Sequence, residues 1–519
     1  MTVLRKRAPF ARGVALALFV LYLPACTTWS PQSFPAQAVI RDTHPQRIRL
    51  TRLNGSRVEI TNPRIVGDSI VGTNPDWGRF AKGPAVALDD IRLVETRETN
   101  GEDTALLVVG LGVAALAIVA IAVAAAAQDD PPPRRPTTDP YISCPLVYSW
   151  DGEAWRLDSG TFGGAITRAA TRTDVDNLVY ATPDAGRLRL KLANELDETD
   201  HVDALSVLVV DHDPDVTVAP DGDGNLHSLG KLQTPLGASD FRGRDVLQLV
   251  AAADELNWQS APFGRSPDRP EDIRDGLVLE FVRPAGVNAG KLVIDGRNTT
   301  WASYMLTELI SAHGTATDAW YDSLDTQPRF RQQFASLAAR TGFLGVSIHT
   351  AAGWEHQGYI WEAGPEIAKR QVFPLDLSRV RGDTVRVRLE SAPSFWLIDQ
   401  VALDYTTSQP FTVQEINATQ AIDHAGRDVR HLLAAVDEHE LVMETGDYVE
   451  LQFDLPPVEP GKTRSFVLQS TGWYRVHTSL TAAPQITLLR ESVSDRDAGS
   501  RISVRRMNEA WKVYGVRTQ

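Results

Sequence analysis

The segment Leu188-Arg189-Leu190-Lys191-Leu192 alternates apolar and polar side chains, the pattern of a strand with one face buried and the other in solvent. Residues 205–210 are apolar without a break, which suits a strand covered on both faces. Further strands are expected at 276–282, 291–294, 345–349, 384–389 and 448–453. Between Trp301 and Arg340 the period changes: Phe330, Phe334, Leu337 and Ala338 recur at helical spacing, so a helical insert is expected there. Strands separated by Gly- and Asp-rich turns predict β-sandwiches. Clusters of Pro, Gly and charge near 262–270 and 409–414 divide the region into a sandwich at 141–262, a second at 270–408 holding the insert 301–340, and a C-terminal β domain at 412–519.

The first quarter of the chain reads differently. Residues 46–98 carry short alternating runs around Asn54-Gly55, a tight-hairpin signal, and five such runs predict a small SH3-like barrel. A charge-free run then opens at Thr104 and closes at Ala127. As a helix it is long enough to cross a hydrocarbon core of about 30 Å, so it is expected to be transmembrane or membrane-embedded. Within it Gly110, Gly112 and Ala115 match a dinucleotide-binding spacing, but the run stays apolar on every face and lacks the strand and acidic partner which that site needs. Residues 128–140, with Pro131-Pro132-Pro133, form a stiff linker.

At the start, Arg5, Lys6, Arg7 and Arg12 precede a short apolar core that ends in Leu23-Pro24-Ala25-Cys26. That is the layout of a signal peptide (1–25) closed by a lipobox, with Cys26 acylated and 26–45 a lipidated linker. Thr27 after the cysteine favours outer-membrane sorting. Lipid at Cys26 and a spanning segment at 104–127 are hard to reconcile: one leaves the later domains outside the cell, the other sends them into the cytoplasm. The flanking charges do not choose between them.

Composition narrows the function classes. A net charge of −14 over 519 residues argues against nucleic acid as partner. With two cysteines, one of them Cys26, Cys144 has no intrachain partner, so the domains must be held by their cores. Hydrophobic residues at 43% supply enough material for several.

The run Cys144-Pro145-Leu146-Val147-Tyr148-Ser149-Trp150-Asp151-Gly152, followed by 188–197, 204–212, Arg242-Gly243-Arg244-Asp245-Val246, Gly364-Pro365 and Phe373-Pro374-Leu375-Asp376-Leu377, resembles the β-rich region of tetratricopeptide and FG-GAP/ASPIC (UnbV-type) proteins. The resemblance covers about 141–405. It implies adhesion- or assembly-type sandwiches without established chemistry. Visible helical or propeller repeats are missing here.

Candidate chemistry is sparse. Glu195, Asp197, Glu198 and Asp200, between two strands, could supply oxygen ligands to Ca²⁺; a solvated acidic hairpin is the plainer reading. Asp221-Gly222-Asp223-Gly224-Asn225 starts like an EF-hand loop, but Leu226 and Leu232 occupy its glycine and bidentate positions, so it is a turn. Asp211-His212-Asp213 places successive side chains on opposite faces. No zinc-protease or nucleophile-elbow motif occurs. Aromatic residues concentrate in the second half; Trp396 reads as core, while Trp354, Tyr359 and Trp361, beside glycines, are candidates for stacking on a ligand. The expectation is a membrane-attached envelope protein that binds or assembles, with an envelope protein or glycan as partner. The alternatives are a polysaccharide hydrolase using paired carboxylates and a purely structural spacer.

Overall fold

The computed structural model describes residues 27–32, 40, 45–52, 57–66, 69–73, 85–99, 144–260, 264–361, 363–437, 439–478 and 482–514. The chain divides into two compact units, 1–134 with 510–519, and 135–509. The predominantly β character expected from the sequence is what the strands show.

In the first unit, six antiparallel strands lie in the order Thr27–Gln32, Ile91–Thr99, Arg47–Arg52, Arg57–Val66, Ser69–Thr73, Val86–Ala87. Ile48 and Leu50 alternate inward from one strand and meet Ile60, Ile70, Val86 and Val94 in a single small core. The stretch 26–45, expected as linker, is partly built into this unit. Thr27–Gln32 pairs with Ile91–Thr99, and Ile40 is buried in the core. The polar composition of 27–32 hid an edge strand, which needs backbone partners more than an apolar face.

In the second unit, the first sandwich pairs two five-stranded sheets. One runs Gln420–Asp423, Tyr448–Asp454, Arg187–Ala193, Leu146–Trp150, Trp155–Gly160. The other runs Thr412–Asn417, Glu198–His212, Thr463–Val476, Arg172–Leu178, with Leu441–Met443 also paired to Glu198–His212. Leu188, Leu190 and Leu192 point into the space between them, as their alternation predicts, and meet Leu205, Val207 and Leu468 from the other sheet. The unbroken apolar run 205–210 has the double burial expected of it. Leu205, Val207 and Val209 face this core, while Leu208 and Val210 face a second cluster with Val216 and Val218, roofed by the hairpin Thr217–Pro220/Leu226–Leu229.

The second sandwich is an insertion into the first. Its sheets are Leu232–Gln233, Trp396–Asp404, Ala289–Asn298, Lys369–Asp376 and, facing it, Gly237–Asp240, Asp275–Val282, Thr384–Ser391, Leu344–Thr350, Gly353–Ile360. The strands therefore do not fall into the consecutive blocks 141–262, 270–408 and 412–519. Those at 412–476 are partners of 187–212, with fourteen register pairs joining Glu198–His212 to Thr463–Val476, so no separate C-terminal β domain forms. Pro- and Gly-rich connections mark where the chain leaves one sheet, and they are silent about which sheet it re-enters.

The helical insert is three helices, Thr300–Ser311, Thr317–Thr326 and Pro328–Thr341, the first capped by the Thr299 side chain accepting from the Ala302 N–H. Two further helices, Ile486–Ser492 and Ala498–Tyr514, follow the last strand. Leu488 and Ile502 join the second core beside Ala302 and Met305, whereas Ile310, Tyr321 and Leu324 join the first, so this layer wedges both sandwiches together. Trp396 is core, its indole N–H donating to the Gly342 carbonyl at 2.7 Å. Among the described residues no helix is long and apolar enough to cross a membrane. The run 104–127, the linker 128–140, Cys26 and the signal-peptide segment lie outside the described residues.

Candidate functional site

The sequence candidates separate in space. On Glu198–His212 the side chains alternate, so Glu198 and Asp200 turn inward and are buried, while Glu195 and Asp197 stay in solvent. Asp197, 81% exposed, accepts from His477 Nδ1 at 3.1 Å. The four carboxylates of the Ca²⁺ reading thus do not converge, and among the described residues no group of three or more His, Cys, Asp or Glu side chains is placed to hold a metal. Asp221 closes its turn by accepting from the Asp223 and Asn225 N–H groups, as a turn should. His212 is spent on Ser465 Oγ (2.8 Å) and the Asp213 carbonyl (2.9 Å), and Asp211 on Arg464.

The inward carboxyls belong to a sealed seam between the sandwiches. The Cys144 N–H donates to Glu198 Oε1 at 2.9 Å, and the Cys144 thiol lies 3.8 Å from Glu366 Oε2. Room for the Glu366 carboxyl exists because Gly364, at φ +77°, has no Cβ; one would lie 2.7 Å from Oε2. Beside it, Lys369 Nζ donates to Asp176 Oδ2 and to the Gly160 carbonyl, both at 2.6 Å, and Ser159 Oγ donates to the same Asp176 oxygen. Glu366 Oε1 is buried with no hydrogen-bond partner, and the buried Glu198 and Asp200 carboxyls have only each other and the Cys144 N–H to satisfy them. An ionised carboxylate cannot be left that way without a large cost. Burial accordingly pushes Glu366 up to about 7, and burial together with the neighbouring Asp200 carboxyl raises Glu198 well above its ordinary value. Burial raises Asp200 in the same direction. Burial, then Glu366 and Glu198, also raise the Cys144 thiol, which is the reverse of what a nucleophile needs. Burial disfavours the Lys369 ammonium, but Asp176 and Asp174 outweigh it and hold its pKa up. The seam can store protons and tie two sandwiches; it has no access for a substrate.

Trp354 and Tyr359 do share a face. They project from the outer side of the second sandwich, opposite His349 and Gly345 in register. Trp354 is already engaged: Arg388 lies 5.0 Å and Arg386 5.7 Å from its ring, with His349 meeting it edge-on at 5.1 Å. The carboxylates nearby are committed as well. Glu280 pairs with Arg386, and Glu390 with Arg274, Arg340 and Arg388. Burial alone would raise Glu390, yet these arginines outweigh it and hold it below its ordinary range, so it is not poised as a general acid. Trp361, 39% exposed, packs 4.8 Å from Phe343 and against Gly222 of the turn in the first sandwich's hairpin, with Arg172 5.7 Å away. It is a joint between the sandwiches.

A stronger face was missed. Since Leu188, Leu190 and Leu192 point inward, Arg187, Arg189 and Lys191 must point outward from the centre of their five-stranded sheet. Their cross-strand neighbours on that side are Tyr148, Trp150 and Trp155 toward one edge and Glu450, Gln452 and Asp454 toward the other. Arg189 lies 4.8 Å from the Trp150 ring and 5.1 Å from Trp155; Lys191 lies 4.5 Å from the Tyr148 ring. Trp150 and Trp155 meet edge-to-face at 5.5 Å. The signal was in the sequence, in the polar half of the Leu188–Leu192 alternation and in the aromatics of Tyr148-Ser149-Trp150, but only pairing shows that they share one surface. A groove of about 780 Å³ also opens at one end of this sandwich, lined by Pro183, Leu455, Pro456 and Phe466, with Arg464 in its wall committed to Asp211. No protein-family model matches this chain, and no curated protein matches it.

Proposed function

We propose that the protein is an envelope-anchored binding protein that takes its ligand on the open outer face of the first sandwich. The observation that carries this reading is the aligned set Trp150, Trp155, Arg189 and Lys191 on a sheet face onto which no other described layer packs. Trp150 and Trp155 are half-buried, and aromatic surface left open to water on a sheet face marks a place where a partner binds.

Attachment rests on the first unit. Thr27, the residue after Cys26, is the register partner of Thr99, a few residues before the apolar run 104–127. An acyl chain at Cys26 and a membrane-embedded 104–127 would then leave the sheet from the same end and could enter one membrane from one side. The small SH3-like barrel is supported by a chain-length argument. Val86–Ala87 and Ile91–Thr99 are four strand spacings apart in sheet order, about 19 Å if flat. Residues 87 and 91 can be separated by at most about 14 Å of extended chain, so the sheet has to curl.

Full-length protein mixed with washed envelope polysaccharide, with detergent kept throughout so that membrane attachment cannot cause co-sedimentation, tests the reading. Wild type is expected to sediment and a Trp150→Ala/Trp155→Ala variant to remain in solution. Equal behaviour of the two, whether both sediment or neither, overturns it.

A further inference from the structure

We infer that the open face selects an extended polysaccharide bearing carboxylate groups. This rests on the binding role proposed above and adds the chemical class of the ligand.

Three cations, Arg187, Arg189 and Lys191, stand at alternate positions of one central strand, in line and roughly 7 Å apart. Their own counter-charges are poorly placed. Arg187 has Asp454 at 3.7 Å and Arg189 has Glu450 at 4.0 Å, both beyond good hydrogen-bonding distance and both more than a third exposed. Among the described residues no carboxylate forms an ion pair with Lys191. The chain as a whole carries −14, so a line of three cations held only by weak, exposed ion pairs is a local exception. Trp150, Trp155 and Tyr148 form a floor against which the Arg189 guanidinium and the Lys191 ammonium rest. A guanidinium stacked in this way keeps its N–H edge directed outward and loses little freedom when it grips a carboxylate with two parallel bonds.

The opposite side of the line decides what carries those carboxylates. Glu450 and Asp454 repel a continuous sheet of lipid phosphates, and with Gln452 they accept well from hydroxyl groups. A ligand that offers anionic groups to one strand and hydroxyl donors to the next is a uronate-type polysaccharide. The face is flat, so the ligand lies across it as an extended chain and does not enter a pocket as a small molecule.

Affinity electrophoresis of the full chain in gels containing polygalacturonate, the same polymer with its carboxyls reduced to alcohols, a single-stranded polynucleotide, or anionic phosphatidylglycerol vesicles tests this. The expected result is retardation by polygalacturonate, about tenfold weaker retardation by the reduced polymer, and a loss of about the same size in Arg189→Gln and Lys191→Gln. A salt titration should show weaker salt dependence in both variants. Thermal melting of the variants, expected to match wild type because both side chains lie on the surface, separates a lost contact from a lost fold. Equal retardation by the reduced polymer, abolished by Trp155→Ala, would overturn the acidic selection while leaving the binding role in place. Stronger retardation by the polynucleotide or the vesicles, or no retardation by either polysaccharide, would also overturn it; in that last case co-sedimentation with native envelope decides the binding role separately.

Discussion

Glu366 is where burial and charge meet most directly. Its pKa in the folded protein stands at about 7, against an ordinary value of 4.5, because its carboxyl is sealed beside Cys144 and one oxygen has no partner. The folded state therefore holds this proton longer than the unfolded chain does. The resulting stabilisation is complete below about pH 4.5 and is lost as pH rises through about 7, a difference worth roughly 3 kcal/mol at alkaline pH. Glu198 and Asp200 act with the same sign. Replacing Glu366 with glutamine keeps the shape and removes the titration. Urea melts of Glu366→Gln should exceed wild type at pH 8 and converge with it near pH 4.5; a gap that does not change with pH would refute this account of the seam. Residues of this kind were legible only in part. The sequence singled out Glu198 and Asp200 as a polar cluster, but it could not show that alternation would turn them into the protein, nor that Glu366, far along the chain, would be brought beside Cys144.

Single strands were the most readable level. The alternation at 188–192 and the unbroken run at 205–210 each specified how many faces would be covered, since side chains leave a strand with a period of two. Leu205→Ala and Leu208→Ala, which face opposite cores, are both expected to cost about 2–4 kcal/mol in chemical denaturation, whereas Leu157→Ala, on the outer face of the edge strand, should cost well under 1 kcal/mol. Equal tolerance of the two buried substitutions would contradict the double burial. Helical periodicity succeeded in the same way between 301 and 340, with one difference. No residue of Pro328–Thr341 is fully buried: Phe334 packs at the edge of the first core, and with Leu337 and Ala338 it lines a small apolar cavity of about 70 Å³ shared with Met305 and Leu488.

Over the whole molecule, strand pairing is what the sequence left unread. Domain boundaries were expected at 262–270 and 409–414, yet Thr463–Val476 returns across more than two hundred residues to pair with Glu198–His212. No local pattern encodes that choice of partner. It has a consequence: a chain ending at residue 410 lacks five strands of the first sandwich and should expose Leu188, Leu190 and Leu205. Limited proteolysis of that truncation is expected to degrade 144–217, while a protected fragment there would restore the reading of 412–519 as an independent domain. Discontinuity also created the candidate face, since Glu450 and Gln452 reach Arg189 and Lys191 only through this return. The question of where the ligand sits therefore turns on two tryptophans in different sandwiches. Retention of full-length wild type, Trp155→Ala and Trp361→Ala on envelope polysaccharide measures it most directly. Loss in Trp155→Ala with near-normal retention of Trp361→Ala is the predicted result; loss in Trp361→Ala alone would move the site to the second sandwich and contradict the account.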